Sequence, residues 1–519
     1  MRPLFSVVTP VYEPPLNVLR ETIQSVLAQT FTDWEFILVD DHSPSDNVRE
    51  VLRKAVASDR RIRLVERAAN GGIVAASNDA LAASSGAFVA LLDHDDLLAP
   101  TALETVARAL AEHDDVDYLY SDEDKLDSSG NYCGLFRKPD WSPERLRHQM
   151  YTCHLSVLRS SLVRDVGGFH QGFDGSQDHD LVLRVSERAR RVVHIPEVLY
   201  HWRILPGSAA VAVGEKSYAW EAGKRAVQAH LDRVGIAATA ELGAHPGIYR
   251  IRRSIDPATP VSLIIPTRGT SGIVWGERRC FVVEAVRSAL GKTGMTNVEV
   301  VVVYDEEAMP SATLDELVAL CGDRYVPVPF SGEFNFSEKC NLGFLASTGG
   351  VAVFLNDDVE AAAEGWLEEL VGPLVQEADV GMTGARLHFS DMTLQHGGHW
   401  YSGGDWTHAF LGAVMDEDAS FGALAINREA SGATAACAAV RRDVFEEVGG
   451  LTEELPRNFN DIDLSMKIAQ AGYRILWMTH SVLFHFESRS RERVVHAWEI
   501  EKIVNRWGTP HRERYLPIG

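Results

Sequence analysis

The chain repeats itself. SVVTP, ending at Pro10, returns as SLIIPT from Ser262, each followed by a polar loop and a helical pattern. The strand pattern EFILVDD ends at Asp41, and EVVVVYD ends at Asp305, 264 residues later. Asn78 and Asn341 stand 263 residues apart, as do Asp93 and Asn356, which close the strands AFVALLD and VAVFLN behind Gly86 and Gly349. Later, GSQDHDLVLR at 175–184 matches FNDIDLSMK at 459–467 and VLYHWR at 198–203 matches VLFHFES at 482–488, at offsets of 283 and 284. One insertion of about twenty residues in the second copy accounts for the step. A chain that starts over in this way builds the same kind of unit twice.

Each copy alternates apolar β-branched runs with longer helical patterns, such as Asn17–Ala28 and Ala102–His113. That alternation is the signature of βα units on a mostly parallel sheet, so two tandem three-layer α/β domains are predicted. At 519 residues the chain exceeds a single core and suits two domains of about 200 to 250 residues. The expected division is 1–213, a helix and linker over 214–257, and 258–519. The helix is read at Gly214–Val234, and Gly243, Pro246, Pro257 and Pro260 mark irregular chain.

A net charge of −23 repels phosphate backbones, and the short runs Arg188–Arg191 and Arg250–Arg253 do not offset it, so nucleic acid is not an expected partner. The six cysteines form neither a CxxC pair nor a regular framework, which fits a reducing cytoplasm. The strand pattern from Phe5 leaves no room for a signal core, and no run approaches the roughly 18 to 20 apolar residues of a membrane span. Any membrane association is expected to be peripheral, at the inner face.

Ligands of open α/β sheets sit beyond the carboxyl ends of the strands, where Asp93-His94-Asp95-Asp96 and Asn356-Asp357-Asp358 fall. Acids placed straight after five apolar residues are costly without a cation, and carboxylate oxygens suit Mg²⁺ or Mn²⁺. A helix-capping role is the plain alternative, disfavoured because the cluster recurs in both copies. A second pair of motifs, Asp178-His179-Asp180 and Asp461-Ile462-Asp463, opens a helical pattern in each copy. Asp180 and Asp463 read as caps, whereas Asp178 and Asp461 are candidate general bases for an incoming hydroxyl. His201 and His485 end strand-like runs and are candidates to complete coordination of an ion held by Asp95 and Asp358. Arg203 suits phosphate oxygens, while the second copy carries Glu487, Ser488 and Arg489 there. His399, Trp400, Tyr401 and Trp406 serve either a sugar-acceptor groove or the core.

These motifs together resemble family 2 glycosyltransferases of the GT-A fold, over nearly the whole chain and twice. In the first copy they are SVVTPVYE, VDDHS at 39–43, NGG at 70–72, DHDD, SDEDKLD at 121–127, KPDWSPE at 138–144, GSQDHDL and YHWR. FNFSEKCN at 334–341, FLNDDVE at 354–360, FNDIDL and HFESRS at 485–490 look similar to rhamnosyltransferase-like members.

The resemblance implies that Pro10, Tyr12, Asp41 and Asn70 border the nucleotide and that Asp93 contacts its ribose or the metal side. It implies Asp95 and His201 as metal ligands and Asp178 as the base. Pro266, Asp305, Asn356 and Asp357 take the donor-binding places in the second copy, with Asp358 and His485 on the metal and Asp461 as the base. Asn356 departs from the family by replacing the first aspartate. The implied activity is an inverting, Mn²⁺- or Mg²⁺-dependent transfer from a UDP-, GDP- or dTDP-sugar to a glycan or lipid-linked glycan, in bacterial surface polysaccharide synthesis. The competing readings are a nucleotidyltransferase, for which no Gly-rich basic phosphate loop is present, a chain in which one half is a non-catalytic glycan-binding or scaffold module, and a purely structural protein.

Overall fold

The computed structural model describes residues 2–205, 217–415, 419–486 and 495–516. By compactness the chain divides into one unit of Met1–Gly235 with Ala240–Ile251, and another of Ile236–Thr239 with Arg252 onward. The helix Ser217–Val234 goes with the first unit. The stretch read as irregular linker holds two short strands, Ala238–Leu242 and Tyr249–Arg253, paired with each other.

The main sheet of the first unit runs, in spatial order, Ile62–Glu66, Trp34–Asp40, Phe5–Val11, Phe88–Leu91, Ser156–Arg159, Val116–Leu126, Arg191–Arg203 and Leu97–Leu98. The second unit gives Tyr325–Phe330, Val298–Asp305, Val261–Thr267, Val351–Leu355, Cys437–Arg441, Val380–His388, Arg474–His485 and Val359–Ala361. The two orders correspond strand for strand. In each, the first four strands are parallel and the fifth runs antiparallel to its neighbours.

The central strands are apolar on both faces because helices cover both faces. In the second unit Leu263 and Ile265 point into a core with Val282, Val283 and Val286 of the helix Phe281–Gly291. Ile264, between them, enters the opposite core with Cys340 and Phe344 of the helix Phe336–Ala346. Each side chain of this size contributes about 1.5–3 kcal/mol when fully buried.

Two polar details recur with the topology. Ser6 Oγ donates to Glu35 at 2.6 Å and accepts from Gly86 N–H at 2.8 Å; Ser262 bonds Glu299 and accepts from Gly349 N–H at 2.8 Å. A Cβ on Gly86 would stand 2.5 Å from Ser6 N, and one on Gly349 2.7 Å from Ser262 N, so the close approach of this turn to the first strand requires glycine in both copies. The two asparagines act alike. Asn78 gives and takes bonds with the backbone of Phe169 at 2.8 and 2.9 Å, and Asn341 with that of Leu451 at 2.9 and 3.0 Å. Each pair of bonds ties a helix to the loop that leads to the aspartate-bearing helix.

The insertion lies between the strands that end at Leu126 and His388 and those that begin at Ser156 and Cys437. The second unit fills this interval with the strands Leu394–His396, His399–Ser402 and Asp405–His408, the first with Tyr132–Phe136 and the helix Pro143–His148.

Candidate active sites

In the second unit Pro266, Asn356, Asp357, Asp358, Asp461 and His485 line one cavity of about 740 Å³. The sheet brings them there: Val359 pairs with His485, so the end of a long strand meets the loop after Leu355. His485 Nε2 lies 3.1 Å from Asp358 Oδ1 and 3.2 Å from the Asn356 amide. Its Nδ1 is 2.6 Å from Gln395 Oε1, an acceptor, so a neutral ring carries its proton on Nδ1. The Nε2 lone pair then faces a carboxylate oxygen and accepts from the Asn356 amide N–H, which a divalent cation bound between Nε2 and Asp358 would displace. Carboxylate oxygen plus an imidazole whose far nitrogen is hydrogen-bonded is a donor set that fits Mn²⁺ or Mg²⁺.

Asp357 accepts from Thr267 Oγ1 at 2.6 Å, and burial together with the Asp358 charge raises its carboxyl to about 7. Asp305 is not part of the lining. It pairs with Lys339 and, at 3.3 Å, with Arg268. Lys339 is wholly buried, its ammonium pulled down by burial, and it also donates to Thr267 O at 2.9 Å. Sequence reasoning passed over this lysine inside FNFSEKCN. In the first unit the corresponding acid, Asp41, pairs instead with Arg67 and accepts from Gly71 and Gly72 N–H at 2.9 and 2.8 Å. Asn70 donates to the Asp41 carbonyl at 3.2 Å.

The candidate bases sit alike in both units. Asp178 Oδ1 accepts the N–H of His179 at 2.8 Å, and Asp461 Oδ1 that of Ile462 at 2.9 Å, each in the first turn of its helix. Asp180 and Asp463, read as caps, are instead buried ion-pair partners, of Arg184 at 2.6 Å and of Lys467 at 3.3 Å. Pro10, Asp93 and Asp178 line one small cavity of about 60 Å³. Burial and the Asp93 charge raise the Asp178 carboxyl above its ordinary range.

The first unit arranges its acidic cluster differently. Leu97 pairs with His201 where Val359 pairs with His485, so by strand register Asp96, not Asp95, is the equivalent of Asp358. DHDD carries one residue more than NDD ahead of the strand. Asp93, Asp96 and His154 bring ligand-type atoms within 4.8 Å of one another. Asp96 is held by Tyr200 Oη at 2.6 Å and Arg203 N at 2.8 Å, and burial raises it to about 8. His154 lies between Asp93 at 3.7 Å and Glu123 at 3.6 Å; burial opposes its charge, but the two acids outweigh burial and raise it. Asp95 is raised by burial, and its carbonyl accepts from Arg203 Nε at 2.9 Å. His201 turns to Asp124 at 2.6 Å, Arg203 also holds Glu21 at 2.6 Å, and Tyr12 is half exposed. The structure groups Asp93, Asp96 and His154, with Asp178 beside Asp93 in the small cavity; His201 and Arg203 take other partners, and the Asp95 carbonyl, not its carboxylate, is bonded to Arg203. Glu487, Ser488 and Arg489 lie outside the described residues.

The model of Glycosyl transferase family 2 matches residues 6–166 and 262–449, once in each copy. The chain belongs to glycosyl transferase family 2. It is 40% identical over 521 residues to the uncharacterized protein y4gI of Sinorhizobium fredii, covering 98% of this chain and 56% of that protein. It is 35% identical over 497 residues to the O-antigen biosynthesis protein RfbC of Myxococcus xanthus, covering 94% of this chain and 38% of the relative. This family 2 chain thus spans about half, or less, of those relatives' length. Among solved structures it is similar to S. aureus TarS 1–349 in complex with UDP-GlcNAc, at 20% identity and a TM-score of 0.36, over 44% of this chain and 66% of that one.

The insertion adds His396 and His408, which no motif pointed to, to His399 and Trp406. His396, His399 and His408 place ring nitrogens within 4.8 Å of one another, and His399, Trp406 and His408 line the large cavity. Trp400 and Tyr401 do not, and Tyr401 is buried in the core. No helix among the described residues is long and apolar enough to cross a membrane.

Proposed function

We propose that the chain is a metal-dependent inverting glycosyltransferase with two active halves, each moving a sugar from a nucleoside-diphosphate donor to a glycan acceptor in surface polysaccharide synthesis. The observation that carries this reading is the shared cavity of the second unit. Asp358 and His485, a donor set suited to a divalent cation, and Asp461, a carboxylate suited to proton abstraction, open onto one space large enough for a nucleotide sugar.

Asp358 and His485 would hold the cation, which when bound neutralises charge on the departing diphosphate. Asp461 lines the cavity with Oδ1 fixed by Ile462 N–H, and its carboxylate would take the proton of the acceptor hydroxyl. Attack from that side, opposite the leaving group, inverts the anomeric centre. In the first half Asp178 takes the same role, with Asp93, Asp95 and Asp96 as the acids available to a cation. The printed function of the Myxococcus xanthus relative, O-antigen biosynthesis, supports a surface-glycan product. That a single half is catalytic remains the second reading; the 60 Å³ first cavity against 740 Å³ in the second names the first half as the inert one in that case.

The test is donor consumption with Mn²⁺ or Mg²⁺ and a panel of UDP-, GDP- and dTDP-sugars, following released nucleoside diphosphate. Chelation should abolish release, and Asp358→Ala should lower turnover of one donor by about 10²-fold or more while Asp95→Ala spares that donor. Metal-independent release would contradict the proposal.

A further inference from the structure

The three histidines of the insertion look like a metal site, but their lone pairs are already in use. Thr434 N–H points at His396 Nε2 at 3.2 Å, and a backbone N–H can only donate, so His396 carries its proton on Nδ1. That proton goes to His408 Nδ1, 2.6 Å away. Metal-binding histidines instead donate their far N–H to an acceptor and keep the near nitrogen open. His396 does the reverse. The third histidine packs against this hydrogen-bonded pair.

His399 is that third ring. It is buried, its backbone N–H is held by Gly432 O at 2.8 Å, and its Nε2 lies 3.7 Å from Asp461 Oδ2. Its Nδ1 is 2.9 Å from Tyr401 Oη. A carboxylate beside Nε2 selects the tautomer with the proton on that nitrogen, leaving Nδ1 to accept from the tyrosine. Gly432 makes the arrangement possible, since a Cβ there would stand 2.7 Å from His399 Nδ1 and 2.5 Å from Tyr401 Oη. On the other side Ser465 Oγ donates to the Asp461 carbonyl at 2.7 Å.

We propose that His399 is a positioning residue for Asp461: its Nε2–H, oriented by Tyr401, acts electrostatically across 3.7 Å, together with the Ala435 N–H that donates to Oδ2 at 3.4 Å, to keep Oδ2 in the direction from which the acceptor hydroxyl is approached. The proposal rests on Asp461 being the base. It distinguishes the halves, because the hairpin that carries His399 and Tyr401 belongs to the insertion, and in that interval the described residues of the first unit form only the strand Tyr132–Phe136 and the helix Pro143–His148. Asp178 relies on its own helix and the neighbouring His154 and Asp93 charges.

The experiment uses the full chain and the donor whose turnover is lost in Asp461→Asn. His399→Phe should lower kcat about tenfold or more with the donor KM within about twofold, because a misdirected base slows chemistry without touching nucleotide binding. His399→Gln, whose amide N–H reaches toward the Nε2 position, should recover much of the loss, and Tyr401→Phe should fall between. Melting temperatures identify any variant that fails to fold, and Gln against Phe then remains the deciding comparison. An unchanged kcat in His399→Phe, a loss seen as raised KM, or a folded Gln variant as slow as Phe would each overturn the proposal. So would stoichiometric zinc in the purified protein that His399→Gln releases. If Asp461→Asn itself leaves every donor's turnover intact, the base assignment fails instead.

Discussion

At the scale of single residues, the second half depends on rings and carboxylates whose protons are fixed by their neighbours. Gln395 sets His485, Thr434 sets His396, and Asp461 sets His399. In the first unit His179 shows the cost of such burial. Burial lowers it to about 4, with the Leu146 carbonyl 2.7 Å from its Nε2. An unfolded histidine titrates near 6.5, so between pH 6.5 and 4 the unfolded chain binds the extra proton and acidification costs stability. The expected slope is about 1.4 kcal/mol per pH unit. Urea unfolding of wild type and His179→Leu at pH 7, 6 and 5 should show the variant gaining on wild type as pH falls; a constant gap would show that the ring is protonated in the fold. The strand-end acids and the two helix-opening aspartates were legible residue by residue. Lys339 and His154 were not, because a buried lysine inside a helical motif and a lone histidine carry no local signal; only the sheet brings them to Asp305 and Asp93.

At the scale of elements, the duplication is conserved in joints as well as strands. The Asn78 and Asn341 clamps each secure the loop before an aspartate-bearing helix. Asn341→Ala leaves the Leu451 N–H and carbonyl without their partner, a loss of about 1–3 kcal/mol. A urea midpoint that does not move would show the clamp to be dispensable. The mostly parallel α/β class followed from the alternation of apolar runs and helices, but the order of the strands did not. Nor did their register. The extra residue of DHDD gives no sign of which side of the metal position it occupies, and the pairing of Leu97 with His201 makes Asp96 the equivalent of Asp358. The hairpin of the insertion was equally hidden: its length was read from the offset, but its histidines take their meaning from Thr434 and Asp461, distant in sequence.

At the scale of the whole molecule, one fold is used twice with different fillings. The second unit has the roomy cavity, the metal-suited pair and the insertion; the first has a narrow cavity and a histidine, His154, whose pKa the acids beside it raise. Such divergence suits two donors or two linkages better than one reaction performed twice. The central claim, that both halves are catalytic, is tested most directly by comparing wild type with Asp178→Asn and Asp461→Asn across the panel of nucleotide sugars in Mn²⁺, following nucleoside diphosphate release. The account predicts two donors consumed by wild type, with each variant losing a different one. A variant that consumes every donor at the wild-type rate would contradict it and reduce that half to a non-catalytic module.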